Sequence, residues 1–175
     1  VFFVLLIVQI FKDGKWMRLA INFFKGATFF LFALHTAGLA ARWFISGHAP
    51  WSDAYESMIY VAWATVLFGI LFGRKSNLTL AATTFVAAMI LMIAHWNWMD
   101  PAIANLQPVL DSYWLMIHVA VIVGSYGPFA LSMIIGGVAL FLMLLTNASN
   151  KVKMDLNIKE LTIINELSLT VGLIM

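Results

Sequence analysis

The stretch that decides the fold is YWLMIHVAVIVGSYGPFALSMIIGGVALFLMLL, residues 113–145. It contains no Asp, Glu, Lys or Arg, and its apolar residues do not alternate with polar ones. A transmembrane helix needs about 20 such residues, whereas a barrel strand needs about 10 alternating ones. The stretch therefore predicts a membrane-spanning helix, longer than the bilayer requires, with a kink at Pro128, where one helical hydrogen bond is missing.

Similar apolar runs occur throughout the chain. We predict further spans at 19–45, 55–73 and 78–96, and partial spans at 1–11 and 167–175, which are too short to cross a bilayer. The 175 residues are 63% hydrophobic and 10% charged, whereas a soluble domain carries about 25% charged residues. The predicted fold is an all-α integral membrane bundle of about five to six helices, one membrane domain over residues 1–175, with truncated first and last helices. We interpret it as a piece of a longer chain.

A polar stretch, residues 146–159, leads to the last partial span. The apolar residues Ile158, Leu161, Ile164 and Leu167 follow at helical spacing. This pattern predicts an amphipathic helix that lies on the membrane surface.

The distribution of basic residues predicts the orientation. The loops 46–54 and 97–112 contain no Lys or Arg, and the basic residues of the other turns all fall on the opposite side of the predicted bundle. Those residues are Lys12, Lys15, Arg18, Arg74, Lys75, Lys151, Lys153 and Lys159. The positive-inside rule then places loops 46–54 and 97–112 on the outer side of the membrane, facing the periplasm, the cell exterior or a lumen.

The charge and the lack of cysteine exclude several classes of function. The net charge is +2 and the basic residues lie in short loops, which indicates contact with lipid rather than with nucleic acid. The chain has no Cys, so these residues form no disulfide, no thiolate metal site and no thiol nucleophile.

Aromatic residues are concentrated at the predicted outer face. Five of the seven tryptophans lie there: Trp43, Trp51, Trp96, Trp98 and Trp114. One interpretation is an interfacial aromatic belt, but such belts occur at both membrane surfaces, and only Trp16 marks the inner one. The alternative is an aromatic platform for a flat, apolar ligand.

The histidines are the other candidate functional residues. His118 lies one turn after Trp114 on the same helix face, His35 lies about 15 Å deep in its span, His48 lies in a loop, and His95 ends a span. Each alone is consistent with a packed or interfacial histidine, but an ionisable residue within a span favours a functional role. That argument applies most directly to His118 and His35.

A neutral imidazole is a good ligand for haem iron, and tryptophan faces suit the apolar macrocycle. Haem propionates require a cation, and Arg42 is the basic residue near the outer surface. An ion pair of Arg42 with Asp53 or Glu56, or snorkelling of its side chain to the surface, is at least as good an interpretation.

Two blocks of sequence are similar to a known family. GHAPWSDAYES, residues 47–57, resembles the outer loop of the CcsA (also ResC) cytochrome c biogenesis proteins. LQPVLDSYWLMIHV, residues 106–119, resembles that family's Leu-x-Pro-x-Leu-x-Ser-x-Trp-Leu-x-x-His-Val segment, and Ser125-Tyr126 continues the match. The pattern is most like the fused CcsBA form of bacteria, and a separate CcsA with a CcsB-type subunit is the alternative.

The resemblance implies a function in cytochrome c maturation. Family members present haem b at the outer face and join it by thioether bonds to the Cys-x-x-Cys-His motif of apocytochrome c, the partner protein. The family's histidine in the Trp-Leu-x-x-His-Val segment is an axial haem ligand, and His118 occupies that position. Trp114, His48 and Arg42 complete the predicted haem-binding set. This piece lacks the family's tryptophan-rich loop and its second external histidine, so we expect it to carry half of a synthase site.

Two other functions are compatible with the residues alone. One is a transporter or channel in which the outer histidines line a solute path. The other is a scaffold segment that packs against partner helices.

Overall fold

A computed structural model of the chain describes residues 1–11, 14–73, 76–96, 100–103, 112–146 and 151–175. These residues form six α-helices and no strand: α1 Phe2–Phe11, α2 Lys15–Ser46, α3 Ala54–Phe72, α4 Asn77–His95, α5 Tyr113–Leu144 and α6 Lys151–Ile174. Four of them, α2 to α5, are long and apolar enough to cross a membrane. The predicted class, a polytopic all-α membrane protein, is confirmed.

Some residues used above lie outside the described ranges. They are the basic turn residues Lys12, Arg74 and Lys75, and residues 97–99 and 104–111 of the loop between α4 and α5. The first half of the second family block and Trp98 fall within that loop. Its described part comprises residues 100–103 and Ser112.

Helix α3 packs between α4 and α5 through small residues. A Cβ atom added at Gly69 of α3 would lie 2.1 Å from Oγ1 of Thr83 in α4. A Cβ atom added at Gly127 of α5 would lie 2.8 Å from the backbone of Ala64 and Thr65 in α3. In lipid, apolar side chains gain little by leaving the solvent, so close backbone approach of this kind is what stabilises helix pairs.

Helix α6 differs from the prediction. The predicted amphipathic helix forms, and residues 151–159 are part of it, but it packs in the bundle instead of standing apart from it. It runs antiparallel along α5: Asn165 lies against Gly136, Gly172 against Phe129 and Met175 against Gly124. The buried residues Met154, Leu161 and Ile164 join the core cluster that contains Leu131, Ile135 and Leu142 of α5. Asn165 also accepts a hydrogen bond from the Ser132 hydroxyl.

Helix α2 lies at the edge of the bundle and contacts it near both ends. At one end the Lys25 ammonium donates to Asn77 Oδ1, 2.8 Å away, at the start of α4. At the other end Arg42 reaches the start of α3 and the loop after α4. The two loops without Lys or Arg therefore meet at the same end of the bundle, and the start of α5 joins them there through a bond from Trp51.

Candidate functional site

The loop between α2 and α3 is held by its own capping bonds. Gly47 ends α2 with φ 73°, and its N–H donates to the Trp43 carbonyl. This left-handed conformation favours glycine because other residues meet a Cβ clash there. Asp53 caps α3 by accepting the Glu56 N–H at 2.6 Å. The loop from Gly47 to Asp53 thus has a defined shape that positions His48 and Trp51.

Glu56 is a fully buried carboxylate at the base of this loop, with 0% of its side chain exposed. Its Oε1 atom lies 2.8 Å from Nε of Arg42, and its Oε2 atom accepts the Ser52 N–H at 3.0 Å. A buried charge requires a partner of opposite charge and further hydrogen bonds. Glu56 has both, so the pair joins the end of α2 to the start of α3.

The remaining atoms of the Arg42 guanidinium bind the second outer loop. Nη1 donates to the Pro101 carbonyl at 3.1 Å and Nη2 to the Ala102 carbonyl at 3.4 Å. The guanidinium carbon also lies 5.3 Å from the centre of the Tyr55 ring, within the range of a cation–π interaction. Of the interpretations of Arg42, the ion pair is therefore the one that the structure contains. Its assignment to a haem propionate stays a prediction.

His48 lines a cavity of about 160 Å³ between the 47–53 loop and the start of α5. The other lining residues are Trp43, Gly47, Ala49, Trp51, Ser52, Ser112, Leu115, Met116 and Val119. The Nδ1 atom of His48 lies 3.2 Å from the Ala49 carbonyl and 3.9 Å from Glu56 Oε2. Because a carbonyl only accepts, the Nδ1 atom carries the proton of this hydrogen bond.

The first turns of α5 have two different faces. Leu115, Met116 and Val119 face the cavity, whereas His118 and Trp114 are exposed on the other side of the helix and do not line it. Trp114 is 79% exposed. The structure thus separates the predicted haem-binding residues: His48 borders the cavity, Arg42 binds Glu56, and His118 and Trp114 project from the bundle.

Two aromatic residues that sequence reasoning did not single out as hydrogen-bond donors contact α5 directly. The indole Nε1–H of Trp51 donates to the Met116 carbonyl at 3.1 Å, and the Tyr60 hydroxyl donates to the Ala120 carbonyl at 3.3 Å. The two rings also touch, with centroids 4.9 Å apart. A partly buried tyrosine or tryptophan needs a partner for its polar tip, and that need was the available signal.

The described outer tryptophans do not form one common platform. Trp43 and Trp51 contact each other edge to face, with centroids 5.5 Å apart, and both line the cavity. Trp96 and Trp114 are exposed. Trp96 and Trp114 fit an interfacial belt or a ligand surface equally well, whereas Trp43 and Trp51 pack against each other at the cavity, with Trp43 still 47% exposed.

His35 and His95 lie apart from these residues. His35 borders a second cavity, about 350 Å³ and almost entirely apolar, between α1, α2, α3 and α4. His95 is exposed at the last residue of α4. The cavity that His48 lines and the cavity that His35 borders are separate, and neither of the two is lined by His95 or His118.

The exposed face of α5 fits a haem group better than a bare metal ion. Around His118 this face presents the exposed apolar side chains of Ile117, Val121 and Ile122, besides Trp114. Among the described residues, no group of three or more His, Asp or Glu side chains could hold a metal ion. Haem iron is already held by the porphyrin, so a single imidazole suffices as a protein ligand.

Comparison with known proteins gives a consistent assignment. The model of a family described as cytochrome C assembly protein matches residues 51–175. Protein NrfI of Wolinella succinogenes is 48% identical over 143 residues, which cover 82% of this chain and 16% of that protein. Cytochrome c biogenesis protein CcsA of Lobularia maritima is 33% identical over 150 residues, which cover 82% of this chain and 44% of that protein. The chain therefore spans less than half the length of these two relatives.

Proposed function

The chain belongs to the cytochrome c assembly protein family, and from this premise we propose that it binds haem for cytochrome c biogenesis. In this proposal haem is the cargo, and the His118 imidazole is one of its axial ligands. The observation that carries it is the exposure of His118 on an apolar, aromatic face of α5, at the end of the bundle where the two outer loops meet.

The neighbouring residues receive separate roles. Trp114, one turn before His118 and 79% exposed, covers one part of the macrocycle. His48 borders the cavity on the opposite side of α5, where it supports the loop rather than the same iron position. Arg42 meets a propionate only if its guanidinium exchanges the Glu56 carboxylate or the two loop carbonyls for it.

The chemistry of attachment is an addition. When haem is bound, a cysteine S–H of apocytochrome c would add across a vinyl C=C bond of haem: sulfur bonds to one carbon and hydrogen to the other, so no group leaves. This chain contributes no thiol. Its own residues hold and orient the cargo, and apocytochrome c is the proposed partner, together with a CcsB-type portion or subunit. We place the haem face on the periplasmic side of a bacterial inner membrane.

The transport alternative receives less support from the geometry. His35 borders an apolar cavity, His48 borders a different one, and His118 lies on the outer surface of α5. In the described residues these three imidazoles do not line a common path, which a relay or polar channel would require.

The test is haem binding by the full chain in detergent micelles or nanodiscs. We expect His118→Ala to weaken haem binding by roughly tenfold or more, because even indirect disturbance of a metal site costs that much. Added imidazole restores the absorption bands by replacing the missing ligand. The measurement is a titration followed by the visible spectrum.

His95→Ala is the matched control, since His95 is an exposed histidine at the same end of the bundle. It should bind haem with the wild-type affinity and spectrum. Full haem binding by His118→Ala, or a wild-type chain that stays colourless in the presence of haem, would contradict the proposal.

A further inference from the structure

The two ring donors Trp51 and Tyr60 contact α5 at carbonyls on either side of His118. Their acceptors, Met116 and Ala120, are four residues apart and lie on the same helix face. Each carbonyl oxygen has two lone pairs, so it accepts a side-chain donor in addition to its helical N–H. The donors thus attach two successive turns of α5 to the loop before α3 and to α3 itself.

The helix geometry determines what these two attachments fix. Successive residues of an α-helix are rotated by about 100°, so position 118 lies about 160° around the helix from both 116 and 120. The anchored face therefore points into the bundle and the His118 face points out of it. Two anchors one turn apart restrain both the rotation of α5 about its axis and the tilt of its first turns.

From this arrangement we infer that Trp51 and Tyr60 are positioning residues for His118: their two hydrogen bonds to α5 set the direction in which the imidazole is presented. The inference rests on the proposed function of His118 as a haem ligand. It assigns no contact with haem to either ring.

The surroundings make these bonds effective restraints. The Trp51 ring, which contacts Tyr60, also contacts Trp43 edge to face. The Tyr60 ring stacks on Trp63, with centroids 5.8 Å apart and an interplanar angle of 16°. Both rings are only partly exposed. A donor whose ring is packed on both sides loses little rotational freedom on bonding, so it holds its acceptor in place.

The chain offers conservative variants for a test. Tyr60→Phe removes only the hydroxyl, and Trp51→Phe removes the indole N–H. Trp63→Phe is the matched control, because it keeps an aromatic ring for the stacking on Tyr60 and removes only an indole N–H, which donates to Thr36 of α2 instead of to α5.

In haem titrations of the full chain, we expect Tyr60→Phe and Trp51→Phe each to weaken haem binding roughly fivefold, the value of one ordinary hydrogen bond. Their absorption maxima should also shift, and free imidazole should restore the wild-type spectrum because a free ligand does not depend on α5. A change of stability alone would alter the amount of folded protein but not the spectrum of the folded fraction. Trp63→Phe should leave affinity and spectrum unchanged.

A second measurement does not depend on haem. The chain has no cysteine, so His118→Cys together with Phe30→Cys provides two sites for spin labels, the second on an exposed position of α2. We expect the distance distribution between the labels to broaden when Tyr60→Phe and Trp51→Phe are added, and to keep its width with Trp63→Phe.

The two measurements separate the inference from the proposed function. A wild-type chain that shows no haem absorption bands overturns the proposed function. The distance distribution between the spin labels then tests, without haem, whether Trp51 and Tyr60 position residue 118. Unchanged width with both donor variants, or equal broadening with Trp63→Phe, overturns the positioning role of Trp51 and Tyr60.

Discussion

At the scale of single residues, the largest energetic consequence belongs to the Arg42–Glu56 pair. Removing one partner of a buried ion pair leaves an uncompensated charge and costs about 3–5 kcal/mol. Glu56 is fully buried, so we expect Arg42→Leu to lower the unfolding midpoint of the chain in detergent strongly. Arg42→Leu combined with Glu56→Leu should recover part of the loss, because no buried charge then remains.

Lys25→Gln is the control for this prediction. It also removes one positive charge from α2, but among the described residues Lys25 donates to the neutral Asn77 amide, at an exposed position. Its effect should stay within about 0.5 kcal/mol, as for most surface substitutions. If the losses of Arg42→Leu and Glu56→Leu simply add in the double variant, Arg42 and Glu56 are not energetically coupled.

For Arg42, the sequence alone left several interpretations open. The spacing of Arg42, Asp53 and Glu56 across one loop allowed an ion pair. If haem binds nearby, Arg42 could instead contact one of its propionates. The 2.8 Å distance to Glu56 and the bonds to the carbonyls of residues 101 and 102 show the ion pair, and the propionate contact stays a prediction. Tyr60 was missed, because a hydroxyl within a span has no sequence signal for which carbonyl it meets.

At the scale of helix pairs, the contact between α3 and α5 depends on Gly127. A methyl group there would lie 2.8 Å from the backbone of Ala64 and Thr65, and backbone atoms cannot give way as a flexible side chain can. We expect Gly127→Ala to destabilise the bundle by about 1–3 kcal/mol, the usual cost of overpacking. Thermal unfolding in detergent measures this loss.

Gly137→Ala in the same helix is the matched variant. A Cβ atom at Gly137 meets nothing within 4 Å, so only helix propensity changes, which favours Ala over Gly by up to about 1 kcal/mol. The two substitutions should therefore shift the unfolding midpoint in opposite directions. A shift of the same sign and size for both would show that Gly127 does not hold α3 and α5 together.

The helices themselves were largely predictable, and the exception has a clear cause. Apolar runs mark α3, α4 and α5 because lipid and core both select apolar residues. Helix α6 was divided into a polar stretch and a surface segment because its charges interrupt the apolar run. Among these charged residues, Lys159 and Glu166 are exposed, while the apolar Met154 and Leu161 are buried. The position of such a helix depends on the helix that it packs against, and the sequence of α6 alone does not identify that helix.

At the scale of the whole molecule, the bundle has two chemically different ends. One end carries Lys15, Arg18 and Lys151. The other end carries the Arg42–Glu56 ion pair, the contacting rings of Trp43 and Trp51, and the start of α5. At the second end, Arg42 is the one Lys or Arg residue in the described loops and helix termini. Glu56 compensates its charge. The positive-inside rule needs only this contrast, which explains why an orientation could be predicted before any contact was known.

This orientation is testable because the chain has no cysteine of its own. The test uses three single-cysteine variants at exposed positions. They replace Ile103 in the outer loop (46% exposed), Trp16 at the start of α2 (84% exposed) and Met133 in the middle of α5 (69% exposed). A membrane-impermeant maleimide should label Ile103→Cys in intact spheroplasts, and Trp16→Cys only after permeabilisation. Met133→Cys should react slowly in both, because lipid suppresses the thiolate form that reacts. Labelling of Trp16→Cys before Ile103→Cys would invert the orientation and place the proposed haem face in the cytoplasm.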